Sequence, residues 1–257
     1  MLNYQKTNFF LLVIILILLA INFFVPVQWW WFLLGFGVRF VILFIGSFFI
    51  SLNFHVKAYC SNPLEVRKVL SLTFDDGPNE NTLAILDILK KNNVQATFFC
   101  IGKNIEKHPK ILKRIMEEGH IVGNHSYSHS NLFDFYRKNR LVEEIQKTDT
   151  LIESITGKKP QLFRPPYGVT NPSIRRALEV TKHKVIGWNI RSLDGIHKDE
   201  KIIFDRIKKR IAPGGIVLLH DTSHTVRVLE RLMLYLEENE YKVVSIEALL
   251  KIKAYEN

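Results

Sequence analysis

Cysteine is almost absent from these 257 residues, with Cys60 and Cys100 the only two. They lack metal-type spacing, and a single Cys60–Cys100 disulfide is the most they could form, a pairing that sequence does not decide. Acidic residues are outnumbered, 25 against 35 Lys and Arg, giving a net charge of +10 and a pI near 9.5. Such an excess suits work near anionic lipid, an anionic polymer or nucleic acid. No helix-turn-helix, zinc-finger or aromatic-basic RNA signature accompanies it, so nucleic acid is not an expected partner. No internal repeat and no low-complexity tract occurs, which excludes a repeat architecture. A small-residue cleavage site is missing after the first apolar run, where Asn22-Phe23-Phe24-Val25-Pro26 stands, so that run is not expected to be a cleaved signal peptide. Nothing in the chain points to a particular oligomeric state.

Hydrophobic length, in contrast, is plentiful at the N-terminus. Phe9 to Val25 is apolar except for Asn22, and a second run extends from Trp29 to about Leu52, broken by Arg39 and small polar residues. A helix needs roughly 20 residues to cross the hydrocarbon core. The expectation is an uncleaved membrane anchor over residues 1–52, a helical hairpin with segments at about 9–25 and 29–52, in contact with a lipid bilayer. Trp29, Trp30 and Trp31 suit the membrane interface. Arg39 is costly inside the second run and leaves open whether that run spans or lies at the interface. Residues 53–66 have no clear period and are expected as a connector, and 67–257 as the soluble domain.

That domain alternates short β-type runs with helical patterns. Strands are expected at Val69–Phe74, Gln95–Cys100, Ile121–Gly123, Leu162–Phe163, Lys184–Trp188, Gly215–Leu219 and Lys242–Val244. Helices are expected at Thr82–Asn92, Ile105–Glu118, Leu141–Thr156, Asn171–Leu178, Asp199–Arg210 and Thr225–Asn239, with Gly119 and Gly157 as stops. This order implies an α/β fold with a parallel sheet and crossover helices. Periodicity does not choose between a closed barrel and an open doubly wound sheet.

In either fold the working residues gather where strands end at their C-terminal edge. Asp75 and Asp76 follow the first strand, His125 and His129 the third, Arg164 the fourth, and His220 with Asp221 the sixth; Asp194 lies a few residues after Trp188. On a helical turn His125 and His129, four apart, face one way. With an oxygen from Asp76 they make a set of two histidines and one carboxylate, the pattern of a catalytic zinc-type site. A bare His-x3-His pair is common on surfaces, and Asp-Asp-Gly-Pro is also ordinary turn chemistry. A metal beside it changes the balance: one carboxylate binds, and the other takes a proton from water. His220 is placed to protonate a leaving amine, although a lone histidine there is more often a core residue. Arg164, stiffened by Pro165 and Pro166, steadies Asp75, unless it is a surface arginine in a proline turn.

Thr73-Phe74-Asp75-Asp76-Gly77-Pro78 resembles the first motif of the polysaccharide deacetylase family, the NodB-homology or carbohydrate esterase family 4 domain. His125-Ser126-Tyr127-Ser128-His129 resembles its second motif, Arg164-Pro165-Pro166-Tyr167-Gly168 its third and Leu218-Leu219-His220 its fifth, in family order. The resemblance covers the soluble domain and not the anchor. It implies a distorted (β/α) barrel with an open groove. It makes Asp75 the general base, Asp76, His125 and His129 the ligands of a divalent metal, usually zinc, and Arg164 the residue that steadies Asp75. The backbone N–H of Tyr167 stabilises the oxyanion, His220 is the general acid, and Pro166, Tyr167 and Leu218 face the substrate. The fourth motif departs from the family: Asp194 matches its second acidic position and can orient His220, but Arg191 stands at the first and Gly195 replaces a Trp.

The implied activity is hydrolysis of a carbon–nitrogen, non-peptide bond in a linear amide, the N-acetyl group of a cell-wall or surface polysaccharide such as peptidoglycan or poly-N-acetylglucosamine. The alternatives are an O-acetyl esterase on the same scaffold and a catalytically silent carbohydrate-binding membrane protein. Orientation is in conflict. Lys6 before the hairpin and Lys57, Arg67 and Lys68 after it favour a cytoplasmic domain, whereas the substrate places the domain outside, which is the side expected. His55, His108, His120, His183, His197 and His224 carry no assigned role.

Overall fold

The computed structural model describes residues 3–256; the outermost residues of the expected anchor and domain, 1, 2 and 257, lie outside it. The chain opens with two long helices, α1 (Tyr4–Phe24) and α2 (Trp30–Phe48). Their mean hydropathies of 2.6 and 2.0 and their lengths of 21 and 19 residues are those of helices able to cross a membrane. They pack against each other as a hairpin whose open end meets the rest of the protein. There Tyr4 donates its N–H to the Phe54 carbonyl (3.0 Å), and Thr170 donates to Ser47 in the last turn of α2 (3.0 Å). Gly46 in that turn is required, because a Cβ would lie 2.3 Å from the Phe54 ring.

The domain follows as β1 (Ala58–Tyr59), β2 (Val69–Asp75), α3 (Glu80–Lys91), β3 (Thr97–Cys100), α4 (Gly102–Lys107), α5 (Pro109–Glu117) and β4 (Ile121–Asn124). It continues as α6 (Lys138–Thr156), β5 (Leu162–Phe163), α7 (Pro172–Thr181), β6 (Lys184–Ile186), β7 (Ile190–Arg191), α8 (Glu200–Lys208), β8 (Gly215–His220), α9 (Ser223–Glu238), β9 (Lys242–Val243) and α10 (Ile246–Leu250). The strand order is β1-β6-β5-β4-β3-β2-β8-β7, with β9 against the start of β2, and every named pair is parallel. The single stretch 184–191 pairs with β5 through β6 and with β8 through β7. To reach both, the sheet curls round, and the result is the distorted (β/α) barrel expected.

Alternation along β2 sorts its side chains between two cores. Leu70, Leu72 and Phe74 pack outward under α3 and α9, with Leu86, Leu89, Leu229 and Leu232. Val69 packs inward with Phe99, Ile121, Leu162 and Ile216. Thr73 and Asp75 share that inward parity, so the strand delivers a carboxylate to the barrel interior at its rim. In β8 the same period puts Ile216 inside and Val217 and Leu219 outside.

Three local differences from the sequence reading have plain causes. The single helix expected over Ile105–Glu118 is two, because Pro109 has no N–H to donate and holds His108 out of helical geometry (φ −129°, ψ 52°). The strand expected over Lys184–Trp188 ends at Ile186; Gly187 passes so close to Cys60 that a Cβ would lie 2.5 Å from its sulfur. Within 53–66, Ala58–Tyr59 pairs with β6 as an edge strand, too short to show alternation. Both cysteines are free.

Two glycines separate the cost of backbone conformation from that of close approach. Gly157 (φ +70°) ends α6 with nothing within 4 Å of a Cβ, whereas at Gly214 (φ +73°) a Cβ would lie 2.1 Å from the Asn62 carbonyl oxygen. Gly157→Ala is expected to cost about 1 kcal/mol, the backbone penalty alone. Gly214→Ala should melt clearly lower than Gly157→Ala when unfolding is followed by circular dichroism; equal melting points would show that the Asn62 carbonyl yields freely.

Candidate metal centre and catalytic cleft

Parallel register sets Asp75 opposite His220 on one side and Phe99 on the other. The C-terminal ends of β2, β4, β5 and β8 therefore surround one cleft of about 320 Å³, lined by Asp75, Asp76, His125, His129, Tyr167 and His220, among others. Leu218, Trp188, Arg191, Leu193 and Gly195 also line it. Pro166 is buried and is not among the lining residues.

Asp76 turns away from Asp75 through a left-handed backbone (φ 70°). Its Oδ1 lies 3.5 Å from His125 Nε2 and 3.4 Å from His129 Nε2. All three ligand atoms fall within 4.8 Å of one another. Ligand bonds of 2.0–2.1 Å at tetrahedral angles separate neighbouring donors by about 3.4 Å, so the spacing fits a small dication. Buried Oδ1 has no hydrogen-bond partner, and an unpaired buried anion is costly. His125 Nδ1 donates to the Arg164 carbonyl at 2.7 Å, which leaves Nε2 with its lone pair toward Asp76. Burial opposes charge on His125, but Asp75 and Asp76 outweigh it and raise its pKa, as expected where carboxylates need a positive charge between them. Burial and the charge of His125 depress His129 to about 4.

The two histidines do not share a helical turn. They lie in a loop bent by left-handed residues at Ser126 (φ 63°) and His129 (φ 46°). The bend is held from behind. Asn124 Oδ1 accepts the Ser126 N–H (2.8 Å), while Asn124 Nδ2 donates to Asp149 of α6 (2.7 Å). Glu144, also on α6, accepts from the Ser128 N–H at 2.7 Å. Asn124, Glu144 and Asp149 escaped the sequence reading; only the adjacency of Asn124 to His125 could have drawn attention to it.

Arg164 is 0% exposed, not a surface residue in a proline turn. Its Nη1 donates to Asp75 Oδ1 (2.7 Å) and Thr73 Oγ1 (2.9 Å), Nε to the Ile186 carbonyl (3.0 Å) and Nη2 to the Gly187 carbonyl (3.0 Å). Burial lowers its pKa and Asp75 opposes that shift. The guanidinium also lies over the Phe99 ring, 4.2 Å from its centroid.

Across the cleft, Asp194 Oδ1 lies 2.7 Å from His220 Nδ1, and its Oδ2 accepts the His220 backbone N–H at 2.7 Å. Ser192 and Thr225 hydroxyls complete its shell. Burial works against a charged His220, but the Asp194 hydrogen bond and the charges of Asp194, Asp75 and Asp76 carry its pKa up to about 9. A Cβ at Gly195 would lie 3.5 Å from the His220 ring, so residue 195 borders that histidine. Trp188 supplies an aromatic wall and packs on Gly168, where a Cβ would meet the indole at 2.3 Å. Tyr167, left-handed at φ 59°, lies with its ring centroid 4.8 Å from that of His129 and donates its hydroxyl to Asn131 (2.7 Å). Leu193 is left-handed too (φ 64°). Asp221, beside His220, is buried against Thr82; burial and the charges of Asp76 and Asp75 hold it up at about 7 against that hydrogen bond. None of the six unassigned histidines lines the cleft.

Removing Arg164 would strand a buried carboxylate. Arg164→Met is expected to destabilise by about 3–5 kcal/mol, and adding Asp75→Asn should recover part of that loss. A double-mutant cycle on denaturant midpoints checks it; additive losses would show that the pair is not coupled.

The sequence profile described as Polysaccharide deacetylase matches residues 65–186. The Bacillus subtilis peptidoglycan-N-acetylmuramic acid deacetylase PdaC is 37% identical over 189 residues, which are 73% of this chain and 40% of PdaC. The chain thus spans less than half the length of that relative. The crystal structure of the Bc1960 peptidoglycan N-acetylglucosamine deacetylase superposes with a TM-score of 0.71 at 32% identity, covering 77% of this chain and 94% of that one. BA3943 from Bacillus anthracis, a CE4 family pseudoenzyme, superposes at 0.67 and 33% identity, covering 72% and 66%.

Proposed function

The chain belongs to the polysaccharide deacetylase family, and we propose that it is a metal-dependent hydrolase removing N-acetyl groups from a cell-wall or surface polysaccharide, of the peptidoglycan or poly-N-acetylglucosamine type. The observation that carries this reading is the bare, buried Asp76 Oδ1 facing two histidine nitrogens, 3.5 and 3.4 Å away, in one cleft with Asp75 and His220. The names of the relatives favour an amide over an ester. A catalytically silent member of the family has a precedent in BA3943, a CE4 family pseudoenzyme, but here an acid, a base and a ligand set are brought together in one cleft.

Asp76, His125 and His129 would hold the divalent ion, and the donor set suits zinc. Bound there, it supplies Lewis acidity to the acetyl carbonyl and to water. The rest of the chemistry belongs to the chain. Arg164 fixes one oxygen of Asp75; the other lies 3.8 Å from His125 Nε2, beside the ligand set, where it takes the proton from the attacking water. Asp194 engages His220 Nδ1 and leaves Nε2 to protonate the departing sugar amine. The Tyr167 N–H receives the oxyanion of the tetrahedral intermediate. Leu218, Tyr167 and Trp188 enclose the acetyl group from the sides, and Pro166 stiffens the turn that presents Tyr167. Water adds across the amide, and acetate and free amine leave. The α1–α2 hairpin anchors the protein in the bilayer, with the domain on the outer side, where such polymers lie.

Acetate release should be detected from peptidoglycan or chitin oligosaccharides, disappear with a chelator and return with zinc. Asp75→Asn should lower it by about 10²–10⁴-fold with circular dichroism unchanged. Release from acetylated xylan alone would move the assignment to an ester. A reporter active only outside the cytoplasm, fused after residue 257, should be active; a silent reporter would place the domain inside.

A further inference from the structure

Away from the catalytic cleft, four cations line a second one. Arg137, Lys138, Arg140 and Arg176 surround it, with Ser173 and one carboxylate, Glu143. None of the four forms an ion pair among the described residues. Arg140 is braced over the Tyr136 ring, 3.7 Å from its centroid, and Arg176 donates to Ser173 at 3.1 Å; each guanidinium keeps N–H groups free. Arg137 and Lys138 open α6, and Ser173 and Arg176 lie in the first half of α7. Two helix N-termini thus add their partial positive charge to the cleft.

The position of this cleft is as informative as its charge. Arg175, next to Arg176 on α7, lines the junction with Tyr4, Asn53, Phe54 and His55 at the open end of the hairpin. Consecutive residues of one helix set the basic cleft within about 10 Å, one helix diameter, of that junction. The polar zone of a bilayer extends about 5–7 Å beyond the hydrocarbon on each side. The neighbouring loop, 131–137, is tied to the same place: Asn171 donates to the Asp134 carbonyl at 2.7 Å, and adjacent Thr170 donates to Ser47 at the end of α2. That loop leaves Leu132 61% and Phe135 82% exposed.

We infer that this rim rests on the bilayer surface, with the Arg137, Lys138, Arg140 and Arg176 cleft taking the phosphates of anionic phospholipids and Leu132 and Phe135 entering the interface. The inference rests on the reading of α1 and α2 as membrane helices. Exposed apolar tips beside unpaired basic residues suit an interfacial surface; a soluble phosphate would use the cations and leave Phe135 without a purpose. Asn131 in the same loop holds the Tyr167 hydroxyl, and Tyr167 packs on His129, so the seated rim adjoins the catalytic cleft.

The test is amide hydrogen exchange on the full chain in phosphatidylcholine nanodiscs with and without phosphatidylglycerol. Peptides covering 131–140 should exchange several-fold more slowly in the anionic discs. The difference should vanish in the Arg137→Gln/Arg140→Gln/Arg176→Gln protein and shrink with salt. Equal exchange in both discs would overturn the inference. So would equal protection by inorganic phosphate or chitin oligosaccharides in detergent, which would assign the cleft to a soluble ligand. Alkaline carbonate extraction separates the two readings: a chain washed out of vesicles sinks the hairpin, and with it this surface. A chain that stays in, with exchange blind to lipid charge, sinks the surface alone.

Discussion

A guanidinium with no contact to solvent lies at the centre of this protein, and most of the site is arranged around it. Arg164 reaches from the end of β5 to Asp75 and Thr73 on β2 and to the carbonyls of Ile186 and Gly187. Burying such a charge is unfavourable unless its N–H groups find acceptors. Here a carboxylate and a hydroxyl of β2 and two main-chain oxygens at the end of β6 provide them. The curl brings Arg164 and Asp75 together, and their bond ties the end of β5 to β2. The Arg164 carbonyl also orients His125, so one residue sets the proposed base through its side chain and a proposed metal ligand through its backbone.

Four carboxylates share the rim, and their partners distinguish them. Asp75 meets Arg164, Asp194 meets His220, Asp76 faces two imidazoles, and Asp221 meets only the Thr82 hydroxyl. Neighbouring groups of one type take separate roles when their surroundings separate their protonation behaviour. Asp194 is held below the usual carboxylate range by His220, Thr225 and Ser192 despite its burial, whereas Asp221 is held above it. A stretch as short as His220-Asp221 thus carries two titrating groups with opposite surroundings, His220 facing the cleft and Asp221 the packed interior.

Much of this was legible in the sequence. Strand–helix alternation, together with the rule that sites gather at C-terminal strand ends, gathered Asp75, Asp76, His125, His129, Arg164, Asp194 and His220 on one rim. What escaped depends on distance or on conformations that no residue type announces. The burial of Arg164 follows from the curl of the sheet, which no local pattern encodes. The His125–His129 spacing points to a helical turn; nothing in the residue types at Ser126 and His129 calls for the left-handed backbone they adopt. Asn124 and Asp149 meet across 25 positions, and strands such as β1 and β7 are two residues long. Pro109 marks its break in the sequence, but the apolar spacing continues across it and hides it.

Left-handed backbone recurs around the cleft, at Asp76, Ser126, His129, Tyr167 and Leu193. In Ser126, His129, Tyr167 and Leu193 each costs about 1–2 kcal/mol, and less in Asp76, whose short carboxylate can bond its own backbone; glycine or asparagine would relieve much of it. Relief would remove a proposed ligand, an aromatic wall or the bend that aims them. The rim is thus where this fold is least at ease with its own backbone, and substitutions made for heat tolerance would be drawn to these positions first. A hardier variant made that way would keep its barrel and give up the proposed chemistry of its rim, so gains in robustness have to come from the opposite end of the strands.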